Sequence, residues 1–334
     1  MSSVLPEGSA VPRTVAVVVC AYTMDRWVDV VEAYESLVKQ ERPADEVVLV
    51  IDHNDDLLTA LQITFPSAHI IPNTSVQGLS GARNTGVEAT TSDIVLFLDD
   101  DAKAEPDWVA RLLAVFDEPG VQGVAGHAEA NWPKVGKPAW FPEEFLWVVG
   151  CSYRGLPTRR ADVRNPIGSS MGFTRAALER TGGFTTGIGR IGTHPVGAEE
   201  TELSIRLRQA DPSARIVLEP AAVVHHRVSE PRLKLRYFMS RCYWEGVSKA
   251  VISGDVGAGD ALAAERSYTT KVLPLAVVRG FRDLLRGDLG GPGRSAAVVL
   301  GFGLTGLGYV RGLLTRKSAV TPATAVPLTG ESSS

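Results

Sequence analysis

Residues 94–101 read Ile-Val-Leu-Phe-Leu-Asp-Asp-Asp, five apolar residues followed by three carboxylates in a row. The apolar run has the length and the β-branched and aromatic content of a buried strand. Three adjacent carboxylates at the end of such a strand repel one another unless a cation or donor groups offset their charge. A hard divalent ion, Mg2+ or Mn2+, prefers oxygen ligands of this kind and bridges to substrate phosphates. The plainer alternative is an acidic turn in water, but the cluster follows a strand and does not sit in a polar run.

Working outward, residues 15–20 and Glu46–Ile51 are further β-branched runs, and His69–Pro72 is a shorter strand candidate. Helical spacing or composition separates them at 27–40, 56–65 and 80–90. Strands alternating with helices predict an α/β fold, a mostly parallel sheet flanked by helices. Ligands bind outside the carboxyl ends of the strands in such sheets. The residues that follow each run therefore sample the site: Ala21-Tyr22-Thr23, Asp52-His53-Asn54-Asp55 and Asp99-Asp100-Asp101.

Downstream the rhythm breaks. Residues 131–168 carry Trp132, Trp140, Phe141, Phe145, Trp147 and several prolines, and read as an irregular aromatic-lined segment over the sheet. Helix returns at 174–180, a glycine-rich 187–197 reads as a mobile loop, and 200–209 is a second helix. Short strands at 216–218 and 222–224 lead to His225-His226. The chain thus divides into a flexible leader (1–14), an α/β domain (15–228), a basic helical region (229–316) and a disordered tail (317–334).

Charge separates the same parts. Residues 1–226 hold 19 Lys/Arg against 30 Asp/Glu, and residues 227–316 hold 14 against 7. The acidic body argues against nucleic acid as a partner. The basic third suits an anionic surface such as a phospholipid headgroup layer, with a solvated basic helix face as the alternative. Residues 295–310 are uncharged, 16 in all, short of the ~20 a spanning helix needs. A monotopic or re-entrant segment fits, as does a helix packed on a partner. The start lacks the basic and apolar regions of a secretory signal, and Cys20, Cys151 and Cys242 have no zinc-like spacing. The expected location is cytoplasmic, peripheral or monotopic at the inner face of the cell membrane.

Taken together, VVVCAYTMDRW, EVVLVIDHND, GLSGARNTGV, IVLFLDDDA, GFTRAALERTGGF, GAEETELSIR and PAAVVHHRV resemble the family 2 glycosyltransferases of GT-A architecture. IDHND, GLSGARNTGV and WFPEEFLWVVGCSYRG look most like bacterial and archaeal members acting on polyprenyl-phosphate-linked sugars, of glucuronosyl type. The resemblance implies a nucleotide-sugar donor, with UDP as the nucleotide, and a glycan or lipid-linked acceptor. It makes Ala21, Tyr22 and Asp52 contacts to the nucleotide and Arg83 a donor contact. Asp99 and Asp101 become the DxD pair, Asp99 near the ribose and Asp101 on the metal, with Asp100 between them. Glu200, in Glu199-Glu200-Thr201-Glu202-Leu203, matches the general base of inverting members, one methylene longer than the usual Asp. His226 matches a histidine that completes the metal or diphosphate site in some members, and strand alternation aims His225 the other way. The chain departs from the common DDGS after the second strand, which leaves Asp55 without an assigned role.

Two readings compete. Gly168-Ser169-Ser170-Met171-Gly172 fits the GxSxG of serine hydrolases, with Glu199 and His225 following in hydrolase order, but polar RRADVRNP stands where the buried strand before the nucleophile should be. A non-catalytic nucleotide-sugar-binding module keeps the DxD and needs no base. Gly301–Gly306 also fits GxGxxG, with too little chain after it for a dinucleotide-binding half.

Overall fold

The computed structural model describes residues 13–186, 199–255 and 267–316. Most of the leader, the glycine-rich 187–197 segment and the tail lie outside the described residues.

Among the described residues nine strands form one sheet: β1 (Val15–Ala21), β2 (Glu46–Ile51), β3 (His69–Pro72), β4 (Ile94–Asp99), β5 (Ala102–Ala104), β6 (Val121–Asn131), β7 (Ala161–Asp162), β8 (Ser170–Thr174) and β9 (Arg215–Arg227). Their order is β3-β2-β1-β4-β8-β6-β9-β5, with β7 paired to β9. The half from β3 to β4 is parallel, as the strand-helix alternation implies. Beyond it β8 runs antiparallel to both β4 and β6, so the sheet is mixed. The segments at 216–218 and 222–224 belong to one strand, β9, whose pairing with β6 shifts register near Ala125. Glu219-Pro220 lies at that irregularity, which is why the pattern reads as two pieces.

In β1 every residue except Cys20 is buried, on both faces, as expected of a strand covered by helices on each side. Val15, Val17 and Val19 pack against α1 (Trp27–Val38), α2 (Asp55–Thr64) and α4 (Trp108–Val115). Val18, with Val48 and Phe97, packs against α3 (Leu79–Glu88), α5 (Arg175–Thr181) and α6 (Glu199–Ala210). Burial of both faces leaves the strand ends as the place where polar side chains gather.

The aromatic segment joins the C-terminal region through a third core. Phe141 and Phe145 lie 5.5 and 5.3 Å, ring centre to centre, from Phe238 of α7 (Leu235–Asp255). Leu273 of α8 (Leu273–Leu285) and Ala297 and Val298 of α9 (Gly290–Arg316) complete it. The C-terminal helices therefore pack on the sheet-bearing body with one face, while the other carries exposed Phe281, Leu285, Phe302, Leu307 and Leu314. The helix Gly290–Thr315 is long and apolar enough to cross a membrane by length and composition, and its most apolar window is 28% buried. It outruns the uncharged 16 residues at both ends, taking in Arg311 and, in its first turns, Arg294, paired with Asp283 (2.8 Å) and Asp288 (2.6 Å).

Candidate active site

β4 ends on Asp99, and the tight turn into β5 brings Asp100 and Asp101 inward, 4% and 8% exposed. β5 pairs with β9 so that Ala102 lies opposite His226. This register brings the His226 Nε2 atom 3.1 Å from the Asp101 carboxylate and 4.0 Å from that of Asp99. One ligand atom from each of Asp99, Asp101 and His226 lies within 4.8 Å of the others. Two carboxylates and an imidazole suit a divalent cation such as Mn2+ or Mg2+. Beside them the buried Oδ2 of Asp100 has no hydrogen-bond partner, an unsatisfied acceptor of the kind that marks a missing ion or water.

The charges around this group explain its electrostatics. Burial opposes ionisation of Asp101, but His226, Arg26 and Arg232 together hold its carboxyl far below the usual range. Burial likewise opposes protonation of His226, yet Asp101 raises it to about 10. In the absence of a cation the histidine is thus itself the counter-charge, and a metal ion would compete with its proton. Burial pushes Asp100 up to about 7 despite its ion pair with Arg26.

Arg83, on α3 and 2% exposed, links three parts of the site. It donates to Glu199 Oε1 (2.7 Å) and to the carbonyl of Gly168 (3.2 Å), and lies 3.5 Å from Asp99. Glu200 lies beside it as the second residue of α6, where burial and the neighbouring Glu199 push its carboxyl up to about 8. Asp52 uses both oxygens to fix the next loop, accepting from Asn73 Nδ2 (2.7 Å) and from the Gly78 N–H (2.9 Å). Tyr22 is 47% exposed, with the Arg26 guanidinium 5.4 Å from its ring centre. All of these residues except Asn73, with Ala21, line one cavity of about 1150 Å³.

The structure also separates residues that the sequence leaves adjacent. His225 faces away, 2.6 Å from Glu105 and 3.5 Å from Glu129, as strand alternation predicts. Asp55 opens α2 and is not among the cavity-lining residues. Ser170 is fully buried within β8 and accepts a hydrogen bond from Trp108 Nε1 (2.8 Å). Its hydroxyl is a packing group rather than an exposed nucleophile, so the hydrolase reading is set aside.

Arg26, Arg232 and Gly150 lie against Asp101 or His226 and were missed by the sequence reading. Arg26 had a usable signal, since it lies four residues after Tyr22 in the loop after β1. Gly150 has φ +85°, and an added Cβ would stand 3.0 Å from His226 Cε1. Gly150→Ala is therefore expected to displace the imidazole and weaken Mn2+ binding about 10–100-fold, with about 1 kcal/mol of stability lost to the left-handed backbone. Manganese titration and thermal melts check it, and unchanged Mn2+ affinity would contradict the placement of His226.

Comparison with known proteins agrees with this geometry. Residues 16–182 match the glycosyl transferase family 2. The chain is 33% identical over 306 residues to a glucosyl-dolichyl phosphate glucuronosyltransferase of Haloferax volcanii, covering 90% of this chain and 96% of that protein. It is 25% identical over 237 residues to the succinoglycan biosynthesis protein ExoM of Rhizobium meliloti, covering 68% and 71%. Among solved structures it is similar to the mannosyltransferase PcManGT of Pyrobaculum calidifontis in complex with GDP-Man and Mn2+, with TM-score 0.54, 18% identity and coverage of 89% and 88%. It is also similar to GalNAc-T7 with UDP, GalNAc and Mn2+, with TM-score 0.52, 15% identity and coverage of 78% and 58%. The fold and the site define a glycosyltransferase of GT-A architecture. The chain belongs to glycosyl transferase family 2.

Proposed function

We propose that the protein transfers a sugar, with inversion, from a UDP-sugar to a hydroxyl of a polyprenyl-phosphate-linked or other cell-envelope glycan acceptor, and that it needs a divalent cation. The observation that carries this reading is the meeting of Asp99, Asp101 and His226 with Glu200 in one cavity. The Haloferax relative, whose name specifies a dolichyl-phosphate acceptor, supports the acceptor class.

Each residue then has a task. The exposed Tyr22 ring offers a stacking face to the base, and Asp52, whose Oδ1 meets Asn73 and His53 and whose Oδ2 keeps a lone pair beyond its bond from Gly78, accepts a base N–H. Asp99 lies toward the ribose, and Arg83 meets the donor on the same side. Asp100, fixed by Arg26, holds the middle of the turn. Asp101 and His226, with Asp99, would hold the cation, which when bound supplies positive charge for the departing diphosphate. Glu200 takes the proton from the acceptor hydroxyl as it attacks the anomeric carbon.

The experiment is a transfer assay with a panel of nucleotide sugars and a polyprenyl-phosphate glucoside acceptor, with Mn2+ or with excess chelator. Transfer from a UDP-sugar only when metal is present is the expected result. A binding module would retain donors and turn none over.

The exposed apolar face of α8 and α9, beside the basic residues of the C-terminal third, suits a peripheral or monotopic seat on an anionic membrane at the cell's inner face. Because α9 also closes the third core, truncation is a poor test. Leu307→Glu with Leu314→Glu alters only exposed positions. This pair is expected to abolish flotation with anionic liposomes at low salt and to leave the melting temperature unchanged. Equal flotation of variant and parent would leave the packing of α9 as its only role.

A further inference from the structure

The cavity does not stop at the catalytic carboxylates. It continues between α7 and α9 and is lined there by two matched stripes. On α7 the residues facing it are Tyr237, Arg241, Glu245 and Lys249, each four positions after the last, so they share one face of the helix. On α9 they are Phe302, Thr305, Gly306 and Tyr309, spaced as one helical face in the same way. Charged groups on a helix surface normally face water. Here the side chains of Arg241, Glu245 and Lys249 are only 15%, 17% and 21% exposed.

The three form a small network. Glu245 lies 3.0 Å from Lys249 and 3.8 Å from Arg241. Burial opposes its ionisation, but Lys249, Arg241 and, across the cavity, Arg164 hold its carboxyl below the usual value. Two α7 cations are thus kept in place by one carboxylate, on the wall of a cavity that also contains Glu200.

The α9 side is shaped by close helix contact. An added Cβ at Gly246 of α7 would stand 2.0 Å from the carbonyl oxygen of Thr305, and one at Gly308 of α9 would stand 2.0 Å from that of Tyr243. The two helices therefore touch backbone to backbone at those points. At Gly306, by contrast, an added Cβ meets nothing within 4 Å. This is a gap beside Phe302, which is 53% exposed, and it opens onto the apolar face of α9.

We propose that this arm is the acceptor's seat: Arg241 and Lys249 bind the phosphate of a lipid-phosphate acceptor, and the groove past Gly306, between Phe302 and Tyr309, takes the first units of its apolar chain. The inference rests on the transferase reading of the same cavity. It follows from the sequence of surfaces along one path: the carboxylate site, then two half-buried cations, then an open gap beside the exposed apolar face of α9. An ester of phosphate with a long hydrocarbon presents those chemistries in that order. A soluble glycan has no use for the last surface.

The test uses the full chain in detergent and farnesyl phosphate as probe, with farnesol and inorganic phosphate as its two halves. Calorimetric binding of UDP with Mn2+ is measured on every variant. The parent is expected to bind farnesyl phosphate more tightly than either half. Arg241→Gln with Lys249→Gln is expected to weaken farnesyl phosphate at least about tenfold, as for lost charge-assisted hydrogen bonds, and to leave farnesol unchanged. Gly306→Trp, which fills the gap, is expected to weaken both farnesyl phosphate and farnesol. All variants should retain UDP binding. Farnesyl phosphate binding equal to the parent in both variants, with UDP still bound, would overturn the subsite and leave the transferase reading intact. Inorganic phosphate binding as tightly as farnesyl phosphate would overturn the lipid part. Failure of the parent to bind UDP with Mn2+ would instead remove the reading on which the inference rests.

Discussion

Asp101→Asn is expected to lower kcat/KM about a thousandfold, corresponding to about 4 kcal/mol at 1.4 kcal/mol per decade, and to weaken UDP binding in the presence of Mn2+. The substitution keeps the shape of the side chain and removes its charge. Asp101 is the carboxylate on which the site's cations converge: His226 at 3.1 Å, Arg26 at 3.3 Å and Arg232 at 3.6 Å. Neutralising it removes an anionic ligand of the Asp99, Asp101 and His226 group and leaves three cations facing one another. Asparagine is preferred to alanine because a cavity would add an unfolding cost unrelated to the metal. Thermal melts separate the two effects: a loss of activity in a chain that melts as the parent does belongs to the site. Chelation of the parent is expected to reproduce the loss, and added Mn2+ to reverse it. An Asp101→Asn enzyme with parental kcat/KM would remove the DxD assignment.

The second large effect concerns the base. Glu200→Gln is expected to reduce kcat by about 10²–10⁴-fold while leaving the dissociation constant for UDP with Mn2+ within about twofold, because general-base catalysis contributes to the transition state alone. The glutamine preserves the size of the side chain at the start of α6. The same residue sets the pH dependence. A base must be deprotonated to act, and burial with Glu199 places the Glu200 carboxyl near 8. Below that value the active fraction falls about tenfold per pH unit, so the rate should climb from pH 6 and level off near pH 8. In Glu200→Gln this limb should be absent from whatever rate remains. A profile flat from pH 6 to pH 9 in the parent would show that another group takes the proton.

Much of the fold was legible because its central strands are buried on both faces. Val15–Ala21 and Ile94–Asp99 read as unbroken β-branched runs, and their carboxyl ends carried Tyr22 and the three aspartates directly. The antiparallel entry of β8 was not legible. Ser170–Thr174 is short, contains a glycine and follows a polar stretch, so nothing local marks it as a strand. The site was read where its residues follow strands and missed where tertiary structure brings them in. Arg232 reaches Asp101 from the turn before α7, and in the sequence it is one more residue of a basic region. Gly150 lies against His226, 76 positions away. The third core was hidden for the same reason. Phe141 and Phe145 meet Phe238 and Val298 across long stretches of chain, so the sequence shows two separate apolar regions where the molecule has one. Asp52 illustrates the converse. Its position after β2 was evident, but its hydrogen bonds to Asn73 and Gly78, which order the start of α3, appear only in the structure.

The most direct test of the proposed chemistry is the anomeric configuration of the transferred sugar. The product formed from an α-linked UDP-sugar and a polyprenyl-phosphate glucoside would be examined by NMR, reading the coupling constant of the new anomeric proton. A single displacement assisted by Glu200 requires the β configuration. An α-linked product would contradict the account, because retention needs either a second displacement or a mechanism in which Glu200 is not the base.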